Sequence, residues 1–186
     1  SESFTIAPLI PITVNTVLTK DLDCTASPDA IITGAISGGA APFTYEVSIN
    51  GAAYSSLGAT GSPFTYAAAI AGIYKFQITD ANGCTAETSI QTINAISLPE
   101  ISLSQTQFIS CNGSDNGAIQ VTINNAVGTP PFAINVINTT TGTNYGTQTS
   151  GLPAGNYLVT ITDAKSCSNA VPATITIAEP IAIDFD

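Results

Sequence analysis

Apolar and polar residues alternate in short runs along this chain. Phe43, Tyr45, Val47 and Ile49 are separated by Thr44, Glu46 and Ser48, and Tyr74, Phe76 and Ile78 by Lys75, Gln77 and Thr79. The rhythm returns at Ile119, Val121 and Ile123, and at Tyr157, Val159 and Ile161. Successive side chains of a strand point to opposite faces, so strict alternation predicts half-buried antiparallel strands. No window carries the spacing of an amphipathic helix of useful length. Turn-forming pairs fall between the runs: Gly38-Gly39, Asn50-Gly51, Asn82-Gly83, Asn112-Gly113 and Pro130-Pro131. The pattern predicts strands near residues 12–19, 30–37, 43–49, 62–70, 72–79 and 86–94. A second set is predicted near 100–108, 117–124, 132–138, 144–150, 156–162 and 172–178. Six or seven short strands in each ~85 residues imply a β-sandwich.

One segment occurs twice. Residues 70–84 read IAGIYKFQITDANGC and residues 152–167 read LPAGNYLVTITDAKSC. Gly72 and Gly155 are 83 residues apart, as are Cys84 and Cys167, while Cys24 and Cys111 are 87 apart. Solenoid repeats have periods of roughly 20–50 residues, so each unit here is expected to be a domain with its own core. Thr5-Ile6-Ala7 before Pro8, Thr92-Ile93-Asn94 before Pro99 and Thr176-Ile177-Ala178 before Pro180 read as one closing strand seen three times. The expected organisation is the tail of a preceding repeat at 1–10, repeat one at 11–97, repeat two at 98–179 and the start of a following repeat at 180–186.

Composition narrows the function classes. Charged residues make up 9% of the chain, against roughly 25% for an ordinary soluble domain. The net charge is −10, from 13 acidic residues and three lysines, with no His, Met or Trp. Nucleic acid and anionic membrane surfaces both call for clustered Lys and Arg, so neither is an expected partner. No apolar run approaches the roughly 20 residues of a membrane span, so membrane insertion is not expected. Without His or Arg, a general base would have to be a carboxylate or lysine, and no closely spaced carboxylate pair recurs on the strands. The expectation is a protein that is not an enzyme.

The Gly-x-Tyr of each repeated segment places a tyrosine just after a tight turn, at the start of a strand. That is the position of the tyrosine corner in immunoglobulin-like sandwiches, whose phenol bonds backbone upstream, and Tyr74 and Tyr157 are assigned to it. The fold class is therefore all-β: two tandem immunoglobulin-like antiparallel β-sandwich domains in an extended array.

The four cysteines stand two per repeat, without Cys-x-x-Cys spacing, which favours disulfides and an oxidising, extracellular setting. Two pairings stay open. Base rates favour bonds within a repeat, Cys24–Cys84 and Cys111–Cys167, each closing a loop of about 60 residues that would stabilise a small domain by about 4 kcal/mol. Strand order favours the alternative, Cys24–Cys167 across repeats, because in a seven-strand sandwich the first cysteine follows strand A while the second lies at the opposite end.

The order of motifs within each unit is specific. Gly38-Gly39-Ala-Ala-Pro42-Phe43-Thr-Tyr45 and Ile70–Cys84 recur as Gly128-Thr-Pro-Pro131-Phe132 and Leu152–Cys167, the latter preceded by Cys111-Asn-Gly113. This arrangement resembles the SprB-type repeat of Bacteroidetes gliding adhesins and related giant cell-surface adhesins, over nearly the whole chain. The resemblance implies secretion to the cell surface and a role in long adhesin filaments. The implied function is a non-catalytic structural and adhesive stalk, with neighbouring repeats of the same chain, surface polysaccharide or other filament subunits as partners.

Two further groups of residues carry candidate chemistry. Asp21, Asp23 and Asp29 lie close together in one loop and are candidate calcium ligands, with the capping of local turns as the competing role. Tyr54, Tyr66 and Tyr145 are the aromatics on which sugar rings could stack, which keeps a carbohydrate-binding module as the alternative function. Lys75 alternates onto the polar face, and Leu158 holds its place in repeat two, so it is not read as a crosslinking lysine.

Overall fold

The computed structural model describes residues 10–184. Thr5-Ile6-Ala7 and Pro8, on which part of the preceding-repeat expectation rests, lie outside them, as do residues 185 and 186. The regular elements among the described residues are all strands. In chain order these are β1 (Thr13–Lys20), β2 (Ala30–Ser37), β3 (Phe43–Ile49), β4 (Ser55–Thr60), β5 (Phe64–Ala68), β6 (Gly72–Thr79), β7 (Thr85–Glu87) and β8 (Gln91–Ile93). They continue with β9 (Ile101–Gln107), β10 (Gly117–Ile123), β11 (Ala133–Asn138), β12 (Thr143–Gly146), β13 (Ser150–Leu152), β14 (Gly155–Thr162) and β15 (Ala173–Ile177).

The chain divides into two compact units, Ser1–Ile96 and Ser97–Asp186. In unit 1, β1-β2-β5 form one sheet, and β4-β3-β6-β7 form the other, with β8 also paired to β6. In unit 2, β13-β10-β9 and β12-β11-β14-β15 repeat the plan. Every pairing is antiparallel, and each unit is an immunoglobulin-like β-sandwich.

The alternating runs supply the inner faces. Tyr74, Phe76 and Ile78 of β6 are buried, while Lys75, Gln77 and Thr79 between them are part-exposed. Tyr157, Val159 and Ile161 of β14 do the same in unit 2. The two cores differ in content. Unit 1 packs Phe64 edge-on against Phe76 at 5.8 Å, Tyr66 against Phe76 at 5.3 Å, and Tyr66 against Tyr74 at 5.9 Å. Unit 2 has one such pair, Tyr145 and Tyr157 at 6.0 Å, among aliphatic residues such as Val136, Leu152 and Ile177. Gly34 is paired with Phe64 across the sheet, and a Cβ there would fall 2.1 Å from the ring. The ring lies over bare backbone, a device that shields a strand glycine.

Three features depart from the alternation pattern. β4 was not expected, since its sequence SSLGAT shows no period of two; its pairing with β3 makes it a strand. The run predicted at 144–150 splits into β12, which pairs with β11, and β13, which pairs with β10. The chain changes sheets there, through Gly146 and Gly151 at positive φ. The run predicted at 86–94 is broken between β7 and β8, where buried Thr88 bonds both polar groups of the Phe76 backbone.

Candidate functional site

Each unit has two poles, and the repeated residues gather there. Call the pole where the chain arrives the inlet and the one where it leaves the outlet. In unit 1, Gly39 donates its N–H to Ile10 O at 3.1 Å, and β1 opens opposite the end of β2, which marks the inlet. The turn after β6 comes back to the same place. Asp80 accepts N–H bonds from Asn82 (2.9 Å) and Cys84 (2.8 Å) on one oxygen, and from Ala40 (3.0 Å) on the other. Asp163 does the same in unit 2, accepting from Lys165 and Cys167 at 2.9 Å each and from Thr129 at 3.0 Å. Gly128 donates to Ser97 Oγ at 3.3 Å nearby, so this is again the inlet. The Asp of each Thr-Asp-Ala is therefore a clamp that ties the late turn to the loop after the second strand. Its acceptor oxygens are occupied by backbone.

That clamp has a predicted pH dependence. The Ala40 N–H, reinforced by Cys84 and Asn82, holds the Asp80 carboxyl below its ordinary value of 3.8, against an opposing push from burial. A carboxyl whose folded-state pKa is depressed binds protons more readily when unfolded, so the stabilisation is complete above about 3.8 and is lost as pH falls through the lower folded value. Asp80→Asn is expected to lower the melting temperature near neutral pH and to flatten its acid dependence below 3.8. Melting curves of the two proteins across that range are the check; parallel curves would refute the clamp's contribution.

The outlet poles are closed by asparagine. Asn50 and Gly51 both have positive φ, 55° and 76°, as the type I′ turn requires. Asn50 Oδ1 accepts the Ile73 N–H at 2.8 Å, and a Cβ at Gly72 would sit 2.8 Å from that oxygen. In unit 2, buried Asn138 accepts from Thr140 at 2.9 Å and lies against Gly155, where a Cβ would be 2.6 Å from the amide. The glycine of each Gly-x-Tyr thus makes room for an asparagine: Asn50, read from the sequence only as a turn residue, and Asn138, to which sequence reading gave no role. Tyr74 donates its phenol to Ile70 O and Tyr157 to Pro153 O, both at 2.7 Å, the geometry of a tyrosine corner.

The aspartate loop of unit 1 also lies at the outlet, between β1 and β2. Asp21, Asp23 and Asp29 do not converge as ligands, and no group of three or more His, Cys, Asp or Glu suited to a metal ion is found among the described residues. The loop instead wraps the Lys20 ammonium, which bonds Asp23 at 2.9 Å, Ser27 O at 2.8 Å and Asp29 O at 3.0 Å. Asp21 Oδ1 accepts the Leu22 N–H, and Asp23 also accepts from Thr25. The Lys20 ammonium, then the Thr25 hydroxyl, hold the Asp23 carboxyl below its usual range. An internal cation thus occupies the middle of the loop, a role that the run of aspartates obscured.

The three tyrosines considered for sugar stacking are spread out. Tyr66 and Tyr145 pack against Tyr74 and Tyr157 in their cores, and Tyr54 donates its phenol to Glu87 at 2.9 Å. Lys75 forms an ion pair with the same Glu87 on the outer face of unit 1.

The cysteines mark both poles. Cys84 and Cys167 lie in the inlet turns that Asp80 and Asp163 clamp. Cys24 and Cys111 lie in the outlet loops between the first two strands of their units. Next to Cys111, Asn112 Nδ2 donates to Pro180 O at 3.0 Å and Gly113 N–H to the Glu179 carboxylate. Cys24 and Cys167 are disulfide-bonded, whereas Cys84 and Cys111 are free and exposed. The within-repeat pairs Cys24–Cys84 and Cys111–Cys167 are therefore not formed. The reason is length: β6 and β14 each run eight residues between the poles, and at about 3.3 Å per residue that is roughly 25 Å. Cysteines whose Cα atoms are more than about 7 Å apart cannot be bridged.

No protein-family model and no curated protein matches the chain. Among solved structures it is similar to the three N-terminal domains of the bacteriophage RB49 Highly Immunogenic Outer Capsid protein, with a TM-score of 0.50 and 14% identity over 90% of this chain. The chain spans 58% of the length of that structure. It is also matched to the fibronectin(III)-like modules of Clostridium thermocellum CbhA (TM-score 0.40, 13% identity, 87% of this chain and 92% of that one). A β-glycosidase from Bacteroides vulgatus overlaps more loosely still (TM-score 0.29, 12% identity, 88% of this chain and 25% of that one). The first likeness is one of fold alone, and the other two are too loose to add to it: this chain is similar to other proteins in carrying tandem immunoglobulin-like sandwiches.

Proposed function

We propose that this chain is a non-catalytic stalk segment of a secreted bacterial surface filament of the gliding-adhesin kind. The observation that carries the reading is that each unit takes the chain in at one pole and releases it at the other, so every added copy adds length. The chemistry of the repeated residues agrees. Asp80, Asp163, Asn50, Asn138, Tyr74 and Tyr157 all spend their polar atoms on their own unit's backbone or local turns. The resemblance to SprB-type repeats supports a cell-surface adhesin, and disulfide bonding supports an extracellular setting. Cys24 and Cys167 are each disulfide-bonded, while Cys84 and Cys111 are free. Its partners in this reading are neighbouring repeats and other filament subunits, and no cofactor is required.

A glycan array distinguishes this reading from a carbohydrate-binding module. The expected result is that the folded, oxidised chain binds no sugar on the array. Saturable binding that Tyr54→Ala abolishes would overturn the stalk reading in favour of the module. Non-reducing peptide mapping of the same sample checks the cysteines, with Cys84 and Cys111 expected as free thiols and a Cys24–Cys84 peptide decisive against that.

A further inference from the structure

Asn-Gly occurs three times, at Asn50-Gly51, Asn82-Gly83 and Asn112-Gly113, each in an exposed turn. This dipeptide carries chemistry of its own. Glycine has no side chain to shield its backbone nitrogen, which can close on the asparagine carboxamide carbon to form a five-membered succinimide. Closure requires the carboxamide to swing onto that nitrogen, so every hydrogen bond that holds either group opposes it.

The fold treats the three sites differently. Asn50 Oδ1 accepts the Ile73 N–H at 2.8 Å, and its carboxamide is wedged against Gly72. Asn112 is held at both groups: its Nδ2 donates to Pro180 O at 3.0 Å, and the Gly113 N–H donates to Glu179. The Asn82 carboxamide has no hydrogen-bond partner among the described residues. There the bond that must open is one exposed turn bond, from Gly83 N–H to Asp80 O at 3.0 Å. Unit 2 lacks the dipeptide at the equivalent turn and has Lys165-Ser166 instead. Ser166 takes φ 61° where Gly83 takes 81°, and the Lys165 N–H bonds Asp163 as the Asn82 N–H bonds Asp80, both at 2.9 Å. The clamped turn therefore forms without Asn-Gly.

We propose that Asn82-Gly83 is a self-modification site that releases the Asp80 clamp of unit 1. The Gly83 nitrogen gives up its proton and bonds to Asn82 Cγ. The carboxamide C–N bond breaks, and the amino group leaves with that proton as ammonia. Water then opens the succinimide. Opening at the main-chain carbonyl leaves isoaspartate, whose backbone is one carbon longer between residues 82 and 83, and opening at the other carbonyl leaves aspartate. Neither oxidant nor enzyme enters the balance. The longer backbone draws the Cys84 N–H off the Asp80 oxygen that it shares with the Asn82 N–H. Either product also sets a second carboxylate beside that of Asp80, whose other oxygen then loosens its hold on the Ala40 N–H. The change runs one way and is confined to one of the two units. It rests on the turn geometry and not on the stalk reading.

The test incubates the full chain in warm, mildly alkaline buffer and maps its peptides by mass spectrometry, with electron-transfer fragmentation to tell isoaspartate from aspartate. Conversion at Asn82 is expected to run at least about tenfold faster than at Asn50 or Asn112, the factor that one further retained hydrogen bond supplies. In denaturant the three sites are expected to convert alike. Asn82→Lys copies unit 2, so it is expected to fold, to keep the clamp and to stay unmodified at that position. Hydrogen exchange reads the clamp. After incubation the Ala40 and Cys84 amides are expected to lose protection in the unaltered chain and to keep it in Asn82→Lys, while Thr129 and Cys167 keep theirs in both. Equal conversion at the three sites in the folded chain would overturn the proposal, as would an equal lead for Asn82 in denaturant. Conversion at Asn82 with Ala40 still protected would overturn the release of the clamp. None of these outcomes bears on the glycan-array result, so the two readings fall separately.

Discussion

Phe76→Ala is expected to destabilise unit 1 by about 3–5 kcal/mol, the range for deleting a fully buried aromatic ring. Its side chain is completely buried, at the point where Phe64 and Tyr66 both meet it edge-on. Alanine removes the buried area, both ring contacts and the support for the ring over Gly34. A small domain has about 5–15 kcal/mol of stability in all, so the variant is expected to lie near the edge of folding. Hydrogen exchange read by mass spectrometry gives the location. Amides of β6 and its partners β3 and β7 are expected to lose protection, while those of β14 keep theirs, because each unit has a separate core. A loss of protection spread evenly over both units would show that they do not fold on separate cores. A cost below about 1 kcal/mol would show that the aromatic cluster closes over the missing ring.

Tyr157 is the comparable position in unit 2, and two substitutions separate its two contributions. Tyr157→Ala is expected to cost about 3–5 kcal/mol, since the ring is fully buried among aliphatic residues and has only Tyr145 as an aromatic neighbour. Tyr157→Phe keeps the ring and removes the bond to Pro153 O. That loss is expected to cost about 1–3 kcal/mol, because the part-buried carbonyl is left without its donor. Denaturant titration of the three proteins gives both numbers. If Phe and wild type were equally stable, the hydroxyl would have no structural role, and the recurrence of tyrosine rather than phenylalanine after each corner would need another cause.

What could be read from the sequence was what one strand or one turn decides alone. Alternation at Tyr74, Phe76 and Ile78 located β6 to the residue, because the pleat sends neighbouring side chains to opposite faces whatever lies beside it. Asn50-Gly51 announced its turn for an equally local reason, the ease with which these residues take positive φ. The duplicated Gly-x-Tyr segment announced two domains. Composition set the low content of charged residues and the net charge of −10, on which the expectation of no nucleic-acid or anionic-membrane partner rests.

The rest depended on which parts of the chain meet. β4 exists because β3 offers it an edge, and no pattern in SSLGAT says so. The split of residues 143–152 into β12 and β13 follows from two sheets competing for one segment. Lys20 reads as an ordinary exposed lysine until the loop of Asp21, Asp23 and Asp29 folds around its ammonium, and the same aspartates read as a cation site until that lysine is placed. Cysteine pairing is the plainest case. Base rates favoured Cys24 with Cys84 while strand order objected, and the length of a strand puts the two at opposite poles. Periodicity is a property of neighbours in sequence, so the sequence by itself determined the strands, the turns and the repeat. Distance between poles is a property of the folded unit, so only the tertiary structure decided which thiols are bonded and which are left free.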